Sequence, residues 1–107
     1  MDESMNSSAL AVINDVTLDR HNVSLSMSAD IDFDAFDSLA GALVQALDLR
    51  VLEKSWGADR HQWLVEFEGT RLWLNFELYS RCCWLNSDNV ADVEVLEYLQ
   101  SLLSSQL

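Results

Sequence analysis

Three aspartates at alternate positions form the sharpest acidic motif of the sequence. Asp30, Asp32 and Asp34 have the spacing with which a calcium-binding EF-hand loop begins. Such a loop also needs glycine at its sixth position and a bidentate glutamate at its twelfth, and here these positions hold Ala35 and Gly41. We therefore interpret the three carboxylates as caps of a following helix, where they would accept hydrogen bonds from free backbone N–H groups.

The side chains that could bind zinc are His21, His61, Cys82 and Cys83. Two adjacent cysteines do not make the usual C-x₂₋₄-C chelate, and no H-x₃₋₅-H pair accompanies them. The sequence therefore predicts neither a metal site nor a cofactor. Neighbouring residues of a strand point to opposite faces, so we expect two free thiols, at least one of them buried.

Carboxylates that could act as catalytic acids or bases are present, but no spacing identifies a catalytic residue. The candidates are Glu66, Glu68 and Glu77, of which Glu66 and Glu68 share a strand parity and could form a like-charged pair. Arg71 follows on the predicted hairpin, which favours an exposed face of paired charges. Neither a G-x-S-x-G elbow nor a glycine-rich phosphate loop occurs. An enzyme is thus the less favoured interpretation.

The four tryptophans are the least ordinary feature, and all lie in the middle and later part of the chain: Trp56, Trp63, Trp73 and Trp84. We expect three of them in the core. Trp73 shares its strand parity with Arg71 and Glu77, opposite a row of leucine and phenylalanine. An aromatic side chain beside arginine on an open sheet face is typical of a binding hot spot. The alternative is that Trp73 packs against Trp63 or Trp84 of a neighbouring strand, or under a loop.

Two patterns predict the elements of the first half. Apolar residues alternate over residues 10–18, with a break at Asn14, and again over 23–27, which predicts a hairpin with its turn at 19–22. Over residues 30–48 the apolar spacing changes to three and four, which predicts an amphipathic helix. Gly41 within it suggests a close approach to the sheet.

The second half predicts three further strands, at residues 49–56, 61–67 and 71–79, and a short one at 81–85. Gly69 suits the tight turn between two of them. Residues 87–89 open a second helix whose apolar stripe runs from Val90 to Leu103. The order ββαβββ(β)α predicts an α+β two-layer sandwich, an antiparallel sheet of five to six strands with two helices on one face.

Charge is distributed unevenly along the chain. The sequence has 18 acidic and 6 basic residues, a net charge of −12, but residues 50–81 hold five of each sign and are neutral. Such a chain repels nucleic acid and anionic membranes, so we predict neither as a partner. A protein partner is predicted instead, either a basic protein or a second copy of the chain.

Length and composition predict one domain of 107 residues, with a polar tail at 1–8 and a folded part at 9–107. The acidic start, without a basic n-region or an apolar h-region, predicts a cytoplasmic protein.

The run Trp56-Gly57-Ala58-Asp59-Arg60-His61-x-Trp63 and the residues after it resemble a family of short acidic γ-proteobacterial proteins classed as a domain of unknown function. The resemblance is strongest over residues 50–86 and implies a bacterial, cytoplasmic, single-domain protein without an assigned activity. It also directs attention to a loop that groups Asp59, Arg60 and His61, for binding or as a salt-bridged turn.

The favoured function is a non-enzymatic protein-interaction module or regulator, homodimeric in its simplest form. The candidate binding residues are Trp73, Arg71, Trp56, Asp59, Arg60 and His61. One alternative is a small enzyme or ligand-binding domain with a cleft near His61, Glu66, Cys82 or Cys83. The other is an acidic mimic that occupies the basic surface of a nucleic-acid-binding protein.

Overall fold

The computed structural model describes residues 10–106, in which six antiparallel strands form one sheet. The strands are β1 (Ile13–Asp19), β2 (Ser24–Ala29), β3 (Arg50–Trp56), β4 (Arg60–Phe67), β5 (Thr70–Glu77) and β6 (Cys82–Asn86). The helices are α1 (Phe36–Ala46) and α2 (Val93–Ser104), the second preceded by a 3₁₀ turn at Val90–Asp92. The predicted α+β class and element order are confirmed, with the optional strand present. The predicted tail at 1–8 lies outside the described residues.

The sheet order is β1-β2-β6-β5-β4-β3. Strands β3 to β6 follow one another as a meander, since each is hydrogen-bonded to the next. The amino-terminal hairpin joins this meander at its far side, where β2 pairs with β6. Strands β1 and β3 are therefore the two edges of the sheet.

Positive φ angles mark the irregular points of the hairpins. Glu68 and Gly69 have φ of 46° and 90°, as in a two-residue turn between β4 and β5, so the role predicted for Gly69 is confirmed. The register of β1 with β2 shifts between Asn14 and Thr17, where Asp15 has φ of 54°. This bulge lies beside the break that Asn14 makes in the apolar alternation.

Both helices cover the same face of the sheet. Alternate strand residues point to this side and are buried: Leu25, Met27, Trp63, Val65, Leu72, Leu74, Phe76, Cys83 and Leu85. Helix α1 packs the ring of Phe36 against Trp63 and Phe76, while α2 lies over β1 and β2 and brings Tyr98 to Phe67. Full burial of one such large side chain stabilises the fold by about 1.5–3 kcal/mol.

Several expectations about single residues are wrong. Trp84, which was expected in the core, is half-buried on the side of the sheet that neither helix covers. Gly41 does not approach the sheet, because it is exposed and a Cβ atom built there meets nothing within 4 Å. Val90 is 70% exposed, since the chain there forms the 3₁₀ turn and the buried stripe of α2 begins at Leu96. Trp56 is 69% exposed because β3 is an edge strand and Trp56 is its last residue.

The three aspartates before α1 differ in their contacts. The carboxylate of Asp32 accepts a hydrogen bond from the backbone N–H of Ala35 at 2.9 Å, so the capping interpretation holds for this residue. Asp30 instead forms an ion pair with Arg81, with 2.6 Å between Nη1 and Oδ1. Asp34 makes neither kind of contact within the described part of the chain.

Within residues 10–106, neither helix combines the length and the apolar character that crossing a bilayer requires.

Candidate functional site

The predicted binding residues lie on both sides of the sheet and do not form one site. His61 on β4 is the cross-strand partner of Trp56 on β3, and both are on the side of the helices. Trp73 and Arg71 on β5 lie on the uncovered side, which we call the open face. Asp59 belongs to the turn that leads into β4.

The loop predicted at residues 56–61 is a turn, but not a salt-bridged one. The N–H of Gly57 donates to the carbonyl oxygen of Arg60 at 2.9 Å, and the carbonyl of Asp59 accepts from the N–H of Leu78. The charged groups of Asp59 and Arg60 form no ion pair within the part of the chain that the structure describes. Backbone hydrogen bonds therefore hold this turn.

His61 is buried in a stack of aromatic rings rather than displayed on a loop. His61 is 7% exposed, and the centroid of its ring lies 4.0 Å from that of the Phe33 ring and 4.6 Å from that of the Phe36 ring. His61 lies within β4 and points to the same buried side of the sheet as Trp63. The prediction that it belongs to a loop was therefore wrong. Phe33 precedes α1 and Phe36 opens it, so the helix start covers His61.

In the part of the chain that the structure describes, one of the two ring nitrogens of His61 has a hydrogen-bond partner and the other has none. Its Nε2 lies 3.1 Å from the carbonyl oxygen of Phe33. Because a carbonyl oxygen only accepts, Nε2 donates, and in the neutral ring Nδ1 then carries a lone pair. Nδ1 is buried and has no hydrogen-bond partner within residues 10–106. A buried polar atom left unpaired in this way costs about 1–3 kcal/mol.

A cavity of about 360 Å³ lies beside His61. We call it the His61 cavity, and its lining residues are Phe33, Asp34, Asp37, Lys54, Trp56, His61 and Trp63. Its volume is within the range of about 300–1,000 Å³ that is usual for small-molecule sites. The cavity lies between the start of α1 and the ends of β3 and β4, and the exposed Trp56 forms part of its wall.

The charged groups at the His61 cavity are not paired with one another. Asp34 and Asp37 are exposed, and within the described residues neither side chain has a hydrogen bond or an ion pair. Lys54, the single lysine of the sequence, places Nζ 4.2 Å from the centroid of the Trp63 ring, a cation–π contact. The cavity therefore combines aromatic walls, two free carboxylates and one ammonium group.

The open face carries a row of hydrogen-bonded amides at its centre. Gln62 donates from Nε2 to Oδ1 of Asn75 at 3.0 Å, and Asn75 donates from Nδ2 to Oδ1 of Asn86 at 2.8 Å. The same Nδ2 also lies within hydrogen-bond distance of the carbonyl oxygens of Trp73 and Trp84. Asn75 is only 6% exposed, although neither α1 nor α2 covers it.

Trp73 and Trp84 flank this amide row and are both half-buried. Trp73 is directly opposite Asn86, and Trp84 is directly opposite Asn75, so the two tryptophans are diagonal neighbours on β5 and β6. Within residues 10–106 neither ring makes a stacking or edge contact with another ring. The hot-spot role of Trp73 stays a prediction.

Charges of both signs alternate around the tryptophans. Arg50 forms an ion pair with Glu66, with 2.8 Å between Nη2 and Oε1, and Glu66 is also directly opposite Arg71. Arg60 is directly opposite Glu77. The predicted strand pair of Glu66 and Glu68 is wrong, because Glu68 lies in the turn after β4.

The two cysteines are free and point to opposite sides of β6, as predicted. Cys82 is exposed, whereas Cys83 is fully buried beneath the helices. Burial, with a smaller contribution from Cys82, raises the pKa of the Cys83 thiol to about 12. Phe76 on β5 lies between Cys83 and His61 in the same cross-strand row, so these two side chains do not form a catalytic pair.

The described residues were also compared with the arrangement that a metal ion requires. Within residues 10–106, no group of three or more His, Cys, Asp or Glu side chains is placed to hold a metal ion.

Comparison with known families gives one match, and it extends over most of the chain. The family described as "Protein of unknown function (DUF3630)" matches residues 13–104. The chain belongs to this family. Comparisons with curated proteins and with solved structures give no match. The function of this DUF3630 domain must therefore be argued from the open face and the His61 cavity.

Four residues that line the cavity of the DUF3630 domain were not predicted from the sequence: Phe33, Asp34, Asp37 and Lys54. Lys54 had a usable signal, since it has the parity of Trp56 and pairs across the hairpin with Trp63. The residues that precede or open α1 had none, because their position over β4 depends on tertiary packing.

Proposed function

We propose that this protein is a non-enzymatic interaction module that pairs with a second copy of itself through the open face. The observation that carries the proposal is the pair of half-buried tryptophans, Trp73 and Trp84, on a sheet face that neither helix covers. Large aromatic side chains near the centre of a surface are the commonest anchors of protein interfaces.

The amide row supports this use of the open face. Covering a polar surface is costly when its donors and acceptors lose their water without gaining a partner. Asn75 already exchanges hydrogen bonds with Gln62 and Asn86 in the isolated chain. A second copy can therefore cover the centre of this face without leaving those amides unpaired.

Charge supports a second copy as the occupant. Strands β3, β4 and β5 place three arginines and three glutamates on the open face: Arg50, Arg60, Arg71, Glu53, Glu66 and Glu77. The whole chain carries −12, so two copies repel when other surfaces meet. Charge is balanced over these three strands, and β1 adds only Asp19 to the same face, so a two-fold axis there can bring opposite signs together while each patch meets its own copy.

Sedimentation as a function of protein concentration tests the proposal. We expect a dimer for the wild type, and a monomer of unchanged near-ultraviolet circular dichroism for Trp73→Arg, which places a charge at the centre of the interface. Trp56→Arg is the matched control, since Trp56 is exposed on the other side of the sheet. A wild type that stays monomeric at millimolar concentration contradicts self-association.

A second candidate function is a ligand-binding domain, and the observation in its favour is the His61 cavity. A flat and closed surface around His61 would have excluded it, whereas the surface there is concave and contains an unpaired buried nitrogen. The His61 cavity lies on the opposite side of the sheet from the open face, so ligand binding and self-association can be tested independently.

A further inference from the structure

We propose that the His61 cavity binds an organic cation, an ammonium or guanidinium group carried on a short apolar stem. The inference deepens the second candidate function and rests on it. It is independent of self-association through the open face, which uses other residues.

The first argument is the unpaired nitrogen of His61. With Nε2 donating to the carbonyl of Phe33, the neutral ring offers Nδ1 as a hydrogen-bond acceptor. His61 is one of the lining residues, and no donor within residues 10–106 reaches Nδ1. Nδ1 is itself buried, so a donor group that enters the cavity reaches it only after a small shift of the ring or of the side chains that cover it. Ammonium and guanidinium groups carry several N–H donors and no acceptor.

The second argument is the sign of the free charges. Among the described residues 10–106, the side chains of Asp34 and Asp37 line the cavity without partners, and they supply two acceptors there. The dipole of α1 accounts for an acidic residue in its first turn, such as Asp37. It does not account for the aromatic walls or for the unpaired histidine. Carboxylate acceptors together with aromatic rings in the lining of one cavity are the groups that bind organic cations.

The third argument is that a cation already occupies one wall. The ammonium group of Lys54 lies over the Trp63 ring at 4.2 Å from its centroid, with no carboxylate within ion-pair distance in the described part of the chain. It shows where a positive charge is stable in this cavity. An incoming cation must share the cavity with Lys54 or displace it, so Lys54 acts as an internal competitor.

The size of the cavity limits the ligand. A volume of about 360 Å³ holds one charged group with a short stem rather than a folded surface. Two sources offer this chemistry: a free amine or guanidine, and a lysine or arginine side chain of a partner protein. The net charge of −12 would draw either toward the protein.

Indole N–H signals in ¹⁵N-correlated NMR spectra provide the readout. The chain has four tryptophans, of which Trp56 and Trp63 line the cavity, while Trp73 and Trp84 lie on the open face as internal controls. The probes are n-butylammonium and n-butylguanidinium, with n-butanol and butyrate as neutral and anionic controls. We expect saturable shifts of Trp56 and Trp63 with the two cations only, at about 1–20 mM, as one charge and a short stem allow.

Two sets of variants test the charge argument with opposite signs. Asp34→Asn with Asp37→Asn should weaken cation binding about tenfold, whereas Lys54→Gln should strengthen it about threefold by removing the competitor. Asp88→Asn with Glu94→Gln is the matched control, because it changes the net charge equally with exposed residues outside the cavity. These residues are exposed, so the variants should fold.

His61→Phe tests the acceptor separately, since it keeps an aromatic ring between Phe33 and Phe36. We expect His61→Phe to weaken the binding of n-butylammonium several-fold. The binding of tetramethylammonium should change little, because this cation has no N–H group to donate. Nα-acetyl-lysine methylamide and its arginine counterpart distinguish the sources. Binding as tight as that of the free amines indicates a side chain of a partner, and much weaker binding indicates a free small molecule.

Three results overturn the proposal. The first is the absence of shifts at Trp56 and Trp63 with either cation. The second is equal binding of n-butanol, which would mean an apolar pocket only. The third is preferential binding of butyrate that Lys54→Gln weakens, which would mean an anion site. Self-association does not affect these three results, because it would shift the indole N–H signals of Trp73 and Trp84 and not those of Trp56 and Trp63.

Discussion

His61 and Trp56 are cross-strand partners on β4 and β3, yet His61 is 7% exposed and Trp56 is 69% exposed. The difference arises because Phe33 and Phe36 cover His61 from the start of α1, and the cover ends before it reaches the edge strand. The step between a covered and an uncovered aromatic side chain creates the His61 cavity. The same covering leaves Nδ1 of His61 without a donor.

The two thiols should differ sharply in reactivity. Cys82 is exposed, whereas Cys83 is buried and the pKa of its thiol is raised to about 12, so it holds almost no thiolate near neutral pH. We expect iodoacetamide at pH 8 to add one adduct to the native protein and two in denaturant, as read by mass spectrometry. Cys82→Ser should give no adduct in the native state. Rapid native labelling of that variant would contradict the burial of Cys83.

Stability should fall at alkaline pH through Cys83. The pKa of Cys83 is about 12 in the folded state and about 9.0 when unperturbed, so the unfolded chain loses this proton first as the pH rises. The stabilising contribution is complete below about pH 9 and decreases above it, by about 1.4 kcal/mol for each pH unit. Urea unfolding of wild type and Cys83→Ala at pH 8 and pH 10 measures it. Equal pH dependence in the two proteins would contradict the prediction.

Gly41→Ala should stabilise the protein. Gly41 lies in the middle of α1, is exposed, and has nothing within 4 Å of the position of a Cβ atom. The free energy of unfolding should rise by about 0.5–1 kcal/mol, since alanine is the better helix former. Gly69→Ala is the control: it has equal space but φ of +90°, and we expect it to destabilise. Thermal unfolding of both variants would show opposite signs, and two shifts of the same sign would refute the argument.

Asn75→Ala should lower the free energy of unfolding by more than the position of Asn75 on an uncovered face suggests. Asn75 joins Gln62 to Asn86, so its loss leaves both neighbours without their partner in a half-covered environment. We expect a decrease of about 1–3 kcal/mol in the free energy of unfolding, measured in urea. Gln62→Ala removes a single hydrogen bond from an exposed residue and should cost clearly less. Equal losses would mean that the amide row does not act as a unit.

The sequence predicted local structure better than it predicted which surfaces are covered. Period-two alternation located β1, β2 and β5, and Gly69 marked a turn of positive φ, because these features depend on neighbours in the chain. Trp56 was expected in the core with two other tryptophans, since nothing local shows that β3 is an edge. His61 was assigned to a loop although its parity with Trp63 indicated burial.

The cavity itself could not be predicted, because it depends on a contact between distant segments. Phe33 reaches His61 across 28 positions of the sequence, and Asp34 and Asp37 line the cavity because of that contact. From the sequence, Asp34 was interpreted as a helix cap and Asp37 was not singled out, because nothing local shows that both lie beside β4. The open face differs in this respect, since the parity of Trp73 and Arg71 placed both on it directly.

The pairing of β2 with β6 sets the order in which the sheet can be completed. The meander from β3 to β6 forms between sequence neighbours, whereas the hairpin of β1 and β2 joins it only through residues 82–86. Because closing a long loop is slower than closing a turn, we expect the hairpin to dock last. During synthesis the first strands must then wait on the ribosome until the final strand emerges. Until β6 has emerged and paired with it, the edge of β2 is exposed to other unfinished chains.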